Sequence, residues 1–487
     1  MPGALAGSAR GEDMNVLVLL GAALPVGATY LLLQPARRAG ASRVCTTALA
    51  IGAGLGIASC TFFLALVLFD GRRAGVIGVD AVLMAFALAV WRRSGTCPAA
   101  RPAPLSSRER VLAIAVLVAA AAGATSFLAN TLEDPQGRWD AWATWNLRAR
   151  WLADAGPAWR AAFAKPTVHG DYPLLLPATV ARLWVYGGAH DPIVPAAVAA
   201  AYGTALVLLL YAALAALRGR AQGLIGALCL LGTPLFLRIV PWQYADVPLA
   251  FNLLAVVALL SLADHDPAGG RAMLVWAGVA AGLAAWTKNE GMVLVLGVVV
   301  VRGVLMIVRR APALRSAAWF VCGLLPPAAI VLYFKLALAP RSPQFSQKAE
   351  TMMQQLVDPG RYGAILGAAA YELVRGTSPI LFALVLYAIL LGRTRDQRAR
   401  GWAAGVAMIV GFGALVYGFT YLTTRAELTW LLSHSPDRLA LQLWPSALLA
   451  ALLYLSSPSE RDAPAPAGRP PARPASRRQR RAGRRVN

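Results

Sequence analysis

The segment 138–151, RWDAWATWNLRARW, combines one carboxylate with many aromatic and cationic side chains. Its acidic residue is Asp140, and the residues around it are four tryptophans and three arginines: Trp139, Trp142, Trp145, Trp151, Arg138, Arg148 and Arg150. A carboxylate can accept a proton as a general base. Indoles and arginine stems anchor a helix at a membrane surface. The segment therefore predicts the floor of an active site at the lipid boundary, with Asp140 at its centre.

Three later segments place ionisable residues at the ends of apolar blocks. The segments are PWQYADVPLAF, WTKNEG and ELTWLLSHSPDRL, and their candidate residues are Asp246, Lys288, Glu290, His434 and Arg438. Charged side chains at the ends of membrane spans are costly unless they face a cavity or one another. We therefore expect these five residues, together with Asp140 and Asp171, to converge at the non-cytoplasmic face of the membrane.

Composition places the chain among membrane proteins. Of its 487 residues, 58% are hydrophobic and 14% are charged, and the apolar residues form long blocks. The net charge of +23 comes from arginines in short loops and in the tail, so it indicates membrane orientation and not a nucleic-acid partner. The five cysteines have no paired spacing, so neither a disulfide framework nor a metal cluster is predicted. Glu12 and Asp13 precede the first apolar block, which therefore does not resemble a cleaved signal peptide.

The apolar blocks have the length that a spanning helix needs, which is about 20 residues. They are 14–33, 44–69, 74–91, 111–128, 192–217, 221–239, 247–263, 271–287, 291–308, 316–338, 378–392, 401–422 and 439–457. A backbone exposed to lipid must satisfy its own hydrogen bonds, and the alternation of barrel strands is absent. The predicted fold class is therefore an all-α polytopic membrane protein with about thirteen transmembrane helices.

Positive charge predicts the orientation of these helices. The arginine-rich tail 458–487 is expected to be disordered and cytoplasmic, which places most other basic loops on the same side. The segment 173–187, PLLLPATVARLWVYG, is short and partly polar, so we predict a helix lying flat at the membrane surface within one outer loop, 129–191. A second outer loop, 339–377, is expected to shape the entrance for a donor or an acceptor.

The chain resembles the GT-C membrane glycosyltransferases in the order of three features. They are an aspartate in a long first outer loop (Asp140), a DYP-type stretch opening a surface helix (Asp171, Tyr172, Pro173), and an acidic residue starting a later span (Asp246). This superfamily includes protein O-mannosyltransferases and the enzymes that add aminoarabinose to lipid A. The resemblance covers about residues 111–457 as a transmembrane catalytic core and leaves 1–110 as extra N-terminal transmembrane helices.

The resemblance implies an inverting transfer of a sugar from a polyprenyl phosphate donor to a hydroxyl acceptor. The acceptor would be a glycolipid, a cell-surface glycan or a protein, at the periplasmic or extracellular face of the inner (plasma) membrane. By resemblance Asp140 matches the general base. A departing phosphate needs fixed cations, and the candidates are Lys288, Arg438 and Arg148. The expected substrate-binding residues are Asp171, Tyr172, Asp246, Glu290 and His434.

No cofactor is expected from the sequence. Many members of the superfamily carry paired acidic residues in the first loop, whereas Asp140 and Asp246 are each solitary. Two oxygen ligands far apart in sequence are thin support for a divalent metal site. Purely structural roles also stay open: Asp140 could pair with Arg138 or Arg148, Asp246 could cap a helix, and the Lys288 region could be a polar hairpin tip.

Two other functions compete with glycosyl transfer. The first is a membrane transporter or flippase for a lipid or a polar metabolite, although the halves of the chain show no internal repeat and the first outer loop is long. The second is a ligase or polymerase of lipid-linked glycans with a different fold. Such an enzyme would concentrate arginines and a histidine in a large late outer loop, and 339–377 has no histidine.

Overall fold

The computed structural model of the protein describes residues 3–38, 40–94, 103–164, 169–266, 270–308, 313–340 and 349–462. These residues form helices and short connections; none of them belongs to a strand, and one isolated bridge pairs Arg393 with Leu455. The all-helical prediction is confirmed. The predicted disordered tail, 458–487, begins instead with the short helix Pro458–Asp462, and its remaining residues, 463–487, lie outside the described ranges.

Twenty α-helices follow one another along the described chain. The first seven are α1 (Gly3–Leu32), α2 (Gln34–Arg38), α3 (Arg43–Phe69), α4 (Arg73–Ser94), α5 (Ser107–Glu133), α6 (Asn146–Asp154) and α7 (Leu175–Gly187). The next seven are α8 (Ile193–Arg218), α9 (Arg220–Leu231), α10 (Pro234–Ile239), α11 (Asp246–His265), α12 (Gly270–Thr287), α13 (Asn289–Val308) and α14 (Ala313–Ala337). The last six are α15 (Ala349–Leu356), α16 (Pro359–Leu391), α17 (Gln397–Leu422), α18 (Leu428–His434), α19 (Pro436–Tyr454) and α20 (Pro458–Asp462).

Several helices begin where a side chain satisfies the free backbone amides of the first turn. At α5, Ser106 and Glu109 form a reciprocal capping box: Ser106 Oγ accepts from Glu109 N at 3.3 Å, and the Glu109 carboxylate accepts from Ser106 N at 2.9 Å. Ser42, Asp358 and Asp396 cap α3, α16 and α17 in the same position. Local sequence therefore fixes where these long apolar helices start.

Nine described helices are long and apolar enough to cross a membrane, so the protein is a multi-pass membrane protein. They are α3, α4, α5, α8, α11, α13, α14, α16 and α17. A tenth span is obtained if α9 and the segment Pro234–Trp242, which are bent by 57°, count as one. The predicted thirteen spans are not confirmed: α12 and α19 do not meet the same criterion of length and hydropathy, and α1 is described in full only over Val16–Leu32, which is apolar but shorter than the criterion requires.

Helix α11 lies at the centre of the molecule. Its apolar window is entirely buried, and the helix packs against α8, α12 and α19. The neighbouring α12 packs closely along α14, because glycines allow the two backbones to approach. An added Cβ at Gly278 would collide with the carbonyl oxygen of Phe320, and one at Gly323 would collide with that of Val275. This close packing positions the C-terminal end of α12, which directly precedes Lys288.

Helix α7 corresponds to the predicted surface helix 173–187, but it lies inside the protein. It is enclosed by α1, α3 and α6. Arg182 forms a buried ion pair with Asp80 of α4, with 2.5 Å between Nη2 and Oδ2, and the Tyr186 hydroxyl donates to the same oxygen at 2.6 Å. The polar residues that predicted an interfacial helix therefore have partners within the protein.

The predicted second outer loop, 339–377, is also partly wrong. Residues 341–348 lie outside the described ranges, whereas α15 and α16 make most of the rest helical. Helix α16 starts at Pro359, well before the predicted span 378–392, and has 33 residues. At a rise of about 1.5 Å per residue it exceeds the hydrocarbon thickness of a bilayer. One end of α16 therefore extends beyond the membrane.

Candidate functional site

Four chain segments bring charged residues to one end of the helical bundle. Asp140 lies directly before the π-helical turn Ala141–Trp145, shortly after the end of α5. Asp246 is the first residue of α11, Lys288 is the single residue between α12 and α13, and Arg438 lies in the first turn of α19. The predicted convergence of these four residues is confirmed by their contacts.

Their side chains form one continuous set of ion pairs, which we call the central network: Asp140, Asp246, Lys288, Glu290 and Arg438. Arg438 donates through Nη1 to Asp140 Oδ2 at 2.6 Å and through Nε to Asp246 Oδ2 at 3.1 Å. Lys288 Nζ donates to Asp246 Oδ1 and lies near Glu290 Oε1, each at 3.0 Å. Asp246 thus joins the two cations, and each cation also contacts a second carboxylate.

Asp246 is the buried centre of this network. Its side chain has no exposed surface, and it also accepts from Gln442 Nε2 at 2.5 Å. Ala245 and not Asp246 occupies the N-cap position of α11, so the capping alternative is not realised. Because solvent does not reach Asp246, its predicted role in binding substrate is replaced by another: it holds Lys288 and Arg438 side by side.

The accessible members of the central network are Asp140, Glu290 and Arg438. Their side chains are 19%, 20% and 16% exposed, against 4% for Lys288. Burial alone would lower the pKa of Lys288, but the carboxylates of Asp246 and Glu290 outweigh it and hold this pKa above the usual range of lysine. The lysine is therefore a permanent cation behind the accessible residues.

The segment around Asp140 is fastened to the chain that precedes α11. Gly137 has a φ of 72° and packs on the carbonyl of Trp242, a position where a side chain would not fit. The Asp140 backbone N–H donates to the Tyr244 hydroxyl at 3.2 Å, and the Arg438 guanidinium lies 4.6 Å from the centre of the Tyr244 ring. Burial raises the pKa of Tyr244 to about 12, so its hydroxyl stays neutral. Tyr244 therefore positions both members of the Asp140–Arg438 pair.

The tryptophans of segment 138–151 divide into two groups. Trp139 and Trp142 are 64% and 45% exposed, and their rings meet edge to face at 4.6 Å on either side of Asp140 in sequence. Trp145 is buried and lies 6.1 Å from the Tyr172 ring. Arg138 pairs with Asp134 at 3.2 Å, so the arginine that holds Asp140 is Arg438 and neither of its sequence neighbours.

Arg148 does not fit its predicted role as a ligand for the donor phosphate. It is buried, and its two terminal nitrogens donate to the carbonyl oxygens of His169, Gly170 and Tyr172 at 3.2, 3.4 and 2.8 Å. Burial lowers the pKa of Arg148 to about 10, which leaves the guanidinium charged at neutral pH. Arg148 therefore stabilises the turn 169–172 and is not available to a ligand.

Asp171 and Tyr172 lie beside the central network with unequal access to it. Asp171 is buried and accepts from Asn289 Nδ2 at 2.7 Å, while Lys335 Nζ donates to the Asp171 carbonyl oxygen at 2.5 Å. The Tyr172 hydroxyl donates to Glu290 Oε1 at 3.5 Å. Tyr172 is thus close to the predicted site, whereas the Asp171 carboxylate belongs to a separate cluster with Asn289 and Lys335.

His434 stays apart from the other predicted residues. It is exposed, its ring stacks on Trp430 with 4.9 Å between centroids, and its Nδ1 lies within hydrogen-bonding distance of Trp430 O and Ser433 Oγ. No contact joins His434 to the central network within the described residues. Its predicted role in substrate binding therefore has no geometric support.

Sequence reasoning missed two residues that complete the site. Gln442 lies one helical turn after Arg438 in α19, and a polar side chain within an apolar helix is a usable signal of a buried contact. Tyr244 is two residues before Asp246, but an aromatic residue near a membrane boundary is common and gave no specific signal. Across the described ranges, no three His, Cys, Asp or Glu side chains group as a metal site.

Comparison of the chain with protein-family models, with curated proteins and with solved structures gives no match. The features of the chain that bear on function are therefore the central network and the position of this network in the fold. Three of its features matter for chemistry: a partly exposed carboxylate, an accessible guanidinium bound to it, and a buried carboxylate that holds a second cation behind them.

Proposed function

We propose that the protein is a membrane glycosyltransferase that moves a sugar from a polyprenyl phosphate donor to a hydroxyl acceptor at the non-cytoplasmic face. The observation that supports this most is the joining of Asp140 to Arg438, and through Asp246 to Lys288, in one network. A transfer of this kind needs a base for the acceptor and fixed cations for the departing phosphate. Both requirements have candidates within hydrogen-bonding distance of one another.

The reaction assigns a role to each accessible residue. The acceptor oxygen forms a bond to the anomeric carbon of the sugar, while the bond from that carbon to the phosphate oxygen breaks. The acceptor proton passes to Asp140, and the polyprenyl phosphate leaves with one further negative charge. Arg438 stabilises that charge directly, and Lys288 supports it from the opposite oxygen of Asp246. Glu290 is the candidate for binding a substrate hydroxyl because its side chain is 20% exposed, although its Oε2 is itself buried and has no partner within the described chain.

The charge distribution supports the proposed orientation. Arginines gather at the end of the bundle opposite to the central network, where Arg218 pairs with Glu460 and Arg302 pairs with Asp264. Further arginines, Arg393, Arg395, Arg398 and Arg400, occupy the connection from α16 to α17 and the start of α17. Basic residues between spans favour the cytoplasm. The central network then faces the periplasm or the cell exterior.

The test is sugar transfer by membranes that contain the protein. Wild type should move radiolabel from at least one polyprenyl phosphate sugar into a lipid or glycan extract, and Asp140→Asn should reduce the rate at least about 100-fold. Asp134→Asn is the matched control, because Asp134 is an exposed carboxylate of the same loop that pairs with Arg138 outside the network. Retained turnover in Asp140→Asn would remove Asp140 from the mechanism, and the lack of transfer by wild type from every donor would reject the proposal.

A transporter or flippase is the second candidate, and one observation favours it. The bend of 57° between α9 and the segment Pro234–Trp242 interrupts a span, and transporters use broken helices at their binding sites. Flux measurements in proteoliposomes separate the two functions. Movement of a lipid-linked sugar across the bilayer, with no new glycosidic bond, would favour the transporter.

A further inference from the structure

The three guanidinium nitrogens of Arg438 differ in their hydrogen bonds. Nε donates to Asp246 and Nη1 donates to Asp140, whereas Nη2 makes no hydrogen bond with the part of the chain that the structure describes. The side chain is 16% exposed. A guanidinium offers a planar fork of donors that matches two oxygens of a phosphate. Arg438 therefore has Nη2 ready for a ligand, whereas one of the two N–H groups of Nη1 is engaged by Asp140.

The two carboxylates on Arg438 differ in how easily they can be displaced. Asp246 has no exposed surface and is held by Lys288 and Gln442 as well as by Arg438. Asp140 is 19% exposed and lies in a connection between helices, with Arg438 as the cation that holds it. A buried carboxylate that loses a cation pays a large desolvation cost, whereas a partly exposed one exchanges its partner for water. Asp140 is thus the replaceable partner.

Charge balance favours such a replacement when a phosphate binds. The central network contains three carboxylates and two cations, so Arg438 would have to serve three anions if a phosphodiester were simply added. A phosphate that takes the Nη1 and Nη2 fork leaves the Nε bond to Asp246 intact. The same event removes Nη1 from the carboxylate of Asp140.

We propose that Arg438 couples donor binding to the release of Asp140, an inference that rests on the proposed function. In the resting protein the guanidinium holds Asp140 and keeps its Oδ2 from the acceptor. The phosphate of the donor displaces Asp140 from Arg438, and the freed carboxylate then receives the acceptor hydroxyl. Productive binding of the acceptor consequently follows binding of the donor, because the acceptor alone meets a carboxylate whose Oδ2 is held by Arg438.

The coupling predicts how substitutions change the affinity for a phosphate ligand. Asp140 competes with the phosphate for Arg438, so its removal should tighten binding, whereas the loss of a residue that merely shapes the site would weaken it. The probe is polyprenyl monophosphate, titrated against purified protein in lipid nanodiscs. Asp140→Asn should bind it about tenfold more tightly than wild type, the size that a charge-assisted hydrogen bond contributes. Arg438→Gln should bind it at least about tenfold more weakly.

A matched control separates direct competition from general electrostatics. Asp437→Asn removes the same charge at the neighbouring residue, but the Asp437 carboxylate pairs with Arg238 at 3.2 Å and not with the Arg438 guanidinium. Its affinity for the probe should stay within about twofold of wild type. Asp140→Ala provides a second variant of the tested position, and thermal unfolding of each variant verifies that it is folded. Polyprenol without phosphate and inorganic phosphate distinguish binding of the chain from binding of the head group.

The outcomes distinguish the coupling from the proposed function. Equal tightening by Asp140→Asn and Asp437→Asn, or no tightening by either Asp140 variant, would overturn the coupling even if wild type transfers sugar. A wild type that neither binds polyprenyl monophosphate nor transfers sugar would reject both. Tightening confined to the Asp140 variants, together with loss of binding in Arg438→Gln, would establish that the base and the donor share one guanidinium.

Discussion

Asp246 is a carboxylate without contact to solvent whose two oxygens receive three donors, from Lys288, Arg438 and Gln442. Such a group is stable only while its charge is matched, because the desolvation cost of each ion is offset by its partners. Its position at the first residue of α11 adds the favourable field of a helix N-terminus. Asp246 therefore stabilises the site by holding the side chains of Lys288 and Arg438 in place.

Asp246→Asn should destabilise the protein by about 3–5 kcal/mol, because it leaves the buried Lys288 and the partly buried Arg438 without their common anion. Thermal unfolding of the purified protein in detergent measures the effect. Asp264→Asn is the matched control at the opposite end of the bundle, since Asp264 pairs with Arg302 and is 30% exposed. This variant should lose only about 1 kcal/mol. Equal stability of Asp246→Asn and wild type would contradict the role given to Asp246.

The residues of the site could be predicted from their type and position in the sequence, but their ion-pair partners could not. Charges in an apolar chain pointed to Asp140, Asp246, Lys288 and Arg438, and all four meet. The pairing itself was not readable, since Arg438 and Asp140 are 298 residues apart. Arg148 was assigned wrongly because nothing in a sequence indicates that a guanidinium will be used by three backbone carbonyls.

At the scale of elements, α7 shows how a short polar helix can be buried. Arg182→Ala should destabilise the protein by about 3–5 kcal/mol, because it leaves Asp80 charged and without its cation. The double variant Asp80→Leu, Arg182→Met removes both charges and should recover much of that loss in the same unfolding measurement. A double variant less stable than Arg182→Ala would show that packing, and not charge, decides the position of α7.

The close pair α12 and α14 gives a second prediction. Gly323→Ala should destabilise the protein by about 1–3 kcal/mol, because the new methyl group collides with the backbone of α12 at Val275. Gly303→Ala in α13 is the control, as no atom lies within 4 Å of the added Cβ, and it should change stability by less than about 0.5 kcal/mol. A Gly323→Ala protein that unfolds at the temperature of wild type would contradict the close approach.

Long elements were predicted better than their ends. Apolar runs identified α3, α8 and α11 closely, because lipid and core favour the same residues. The start of α16 was missed because its first turns contain charged residues, which a hydropathy criterion reads as a loop. The bend before Pro234 could have been predicted, since proline cannot continue the hydrogen bonds of α9.

At the scale of the whole molecule, orientation is the prediction to test. Cysteine at exposed position Ala189, before α8, should react with an impermeant maleimide added to intact cells. Cysteine at exposed position Gln397, the first residue of α17, should react only after the cells are opened. The background replaces Cys322, which is exposed, and Cys97 with serine. The opposite labelling pattern would invert the topology and place the central network in the cytoplasm.

The number of spans shows why sequence alone does not define the whole molecule. Nine described helices satisfy a criterion of length and hydropathy, whereas α19, which carries Arg438 and Gln442, and α12, which ends directly before Lys288, fall short of it. Their polar residues have partners in the bundle, such as Gln442 with Asp246. A helix that is covered by protein needs less apolar surface than one in lipid. A hydropathy count therefore misses helices such as α19 whose polar residues have partners inside the bundle.

The placement of Arg438 in α19 has a consequence for biogenesis. Ribosomes deliver Asp140 and Asp246 to the membrane long before the arginine that binds both of them. During that interval Lys288 is the only member of the central network that can neutralise Asp246. A chain interrupted before α19 would have three carboxylates of the central network and only one of its two cations, which is costly for the buried Asp246. Because Arg438 is synthesised after the other members, the central network is complete only once synthesis has reached α19.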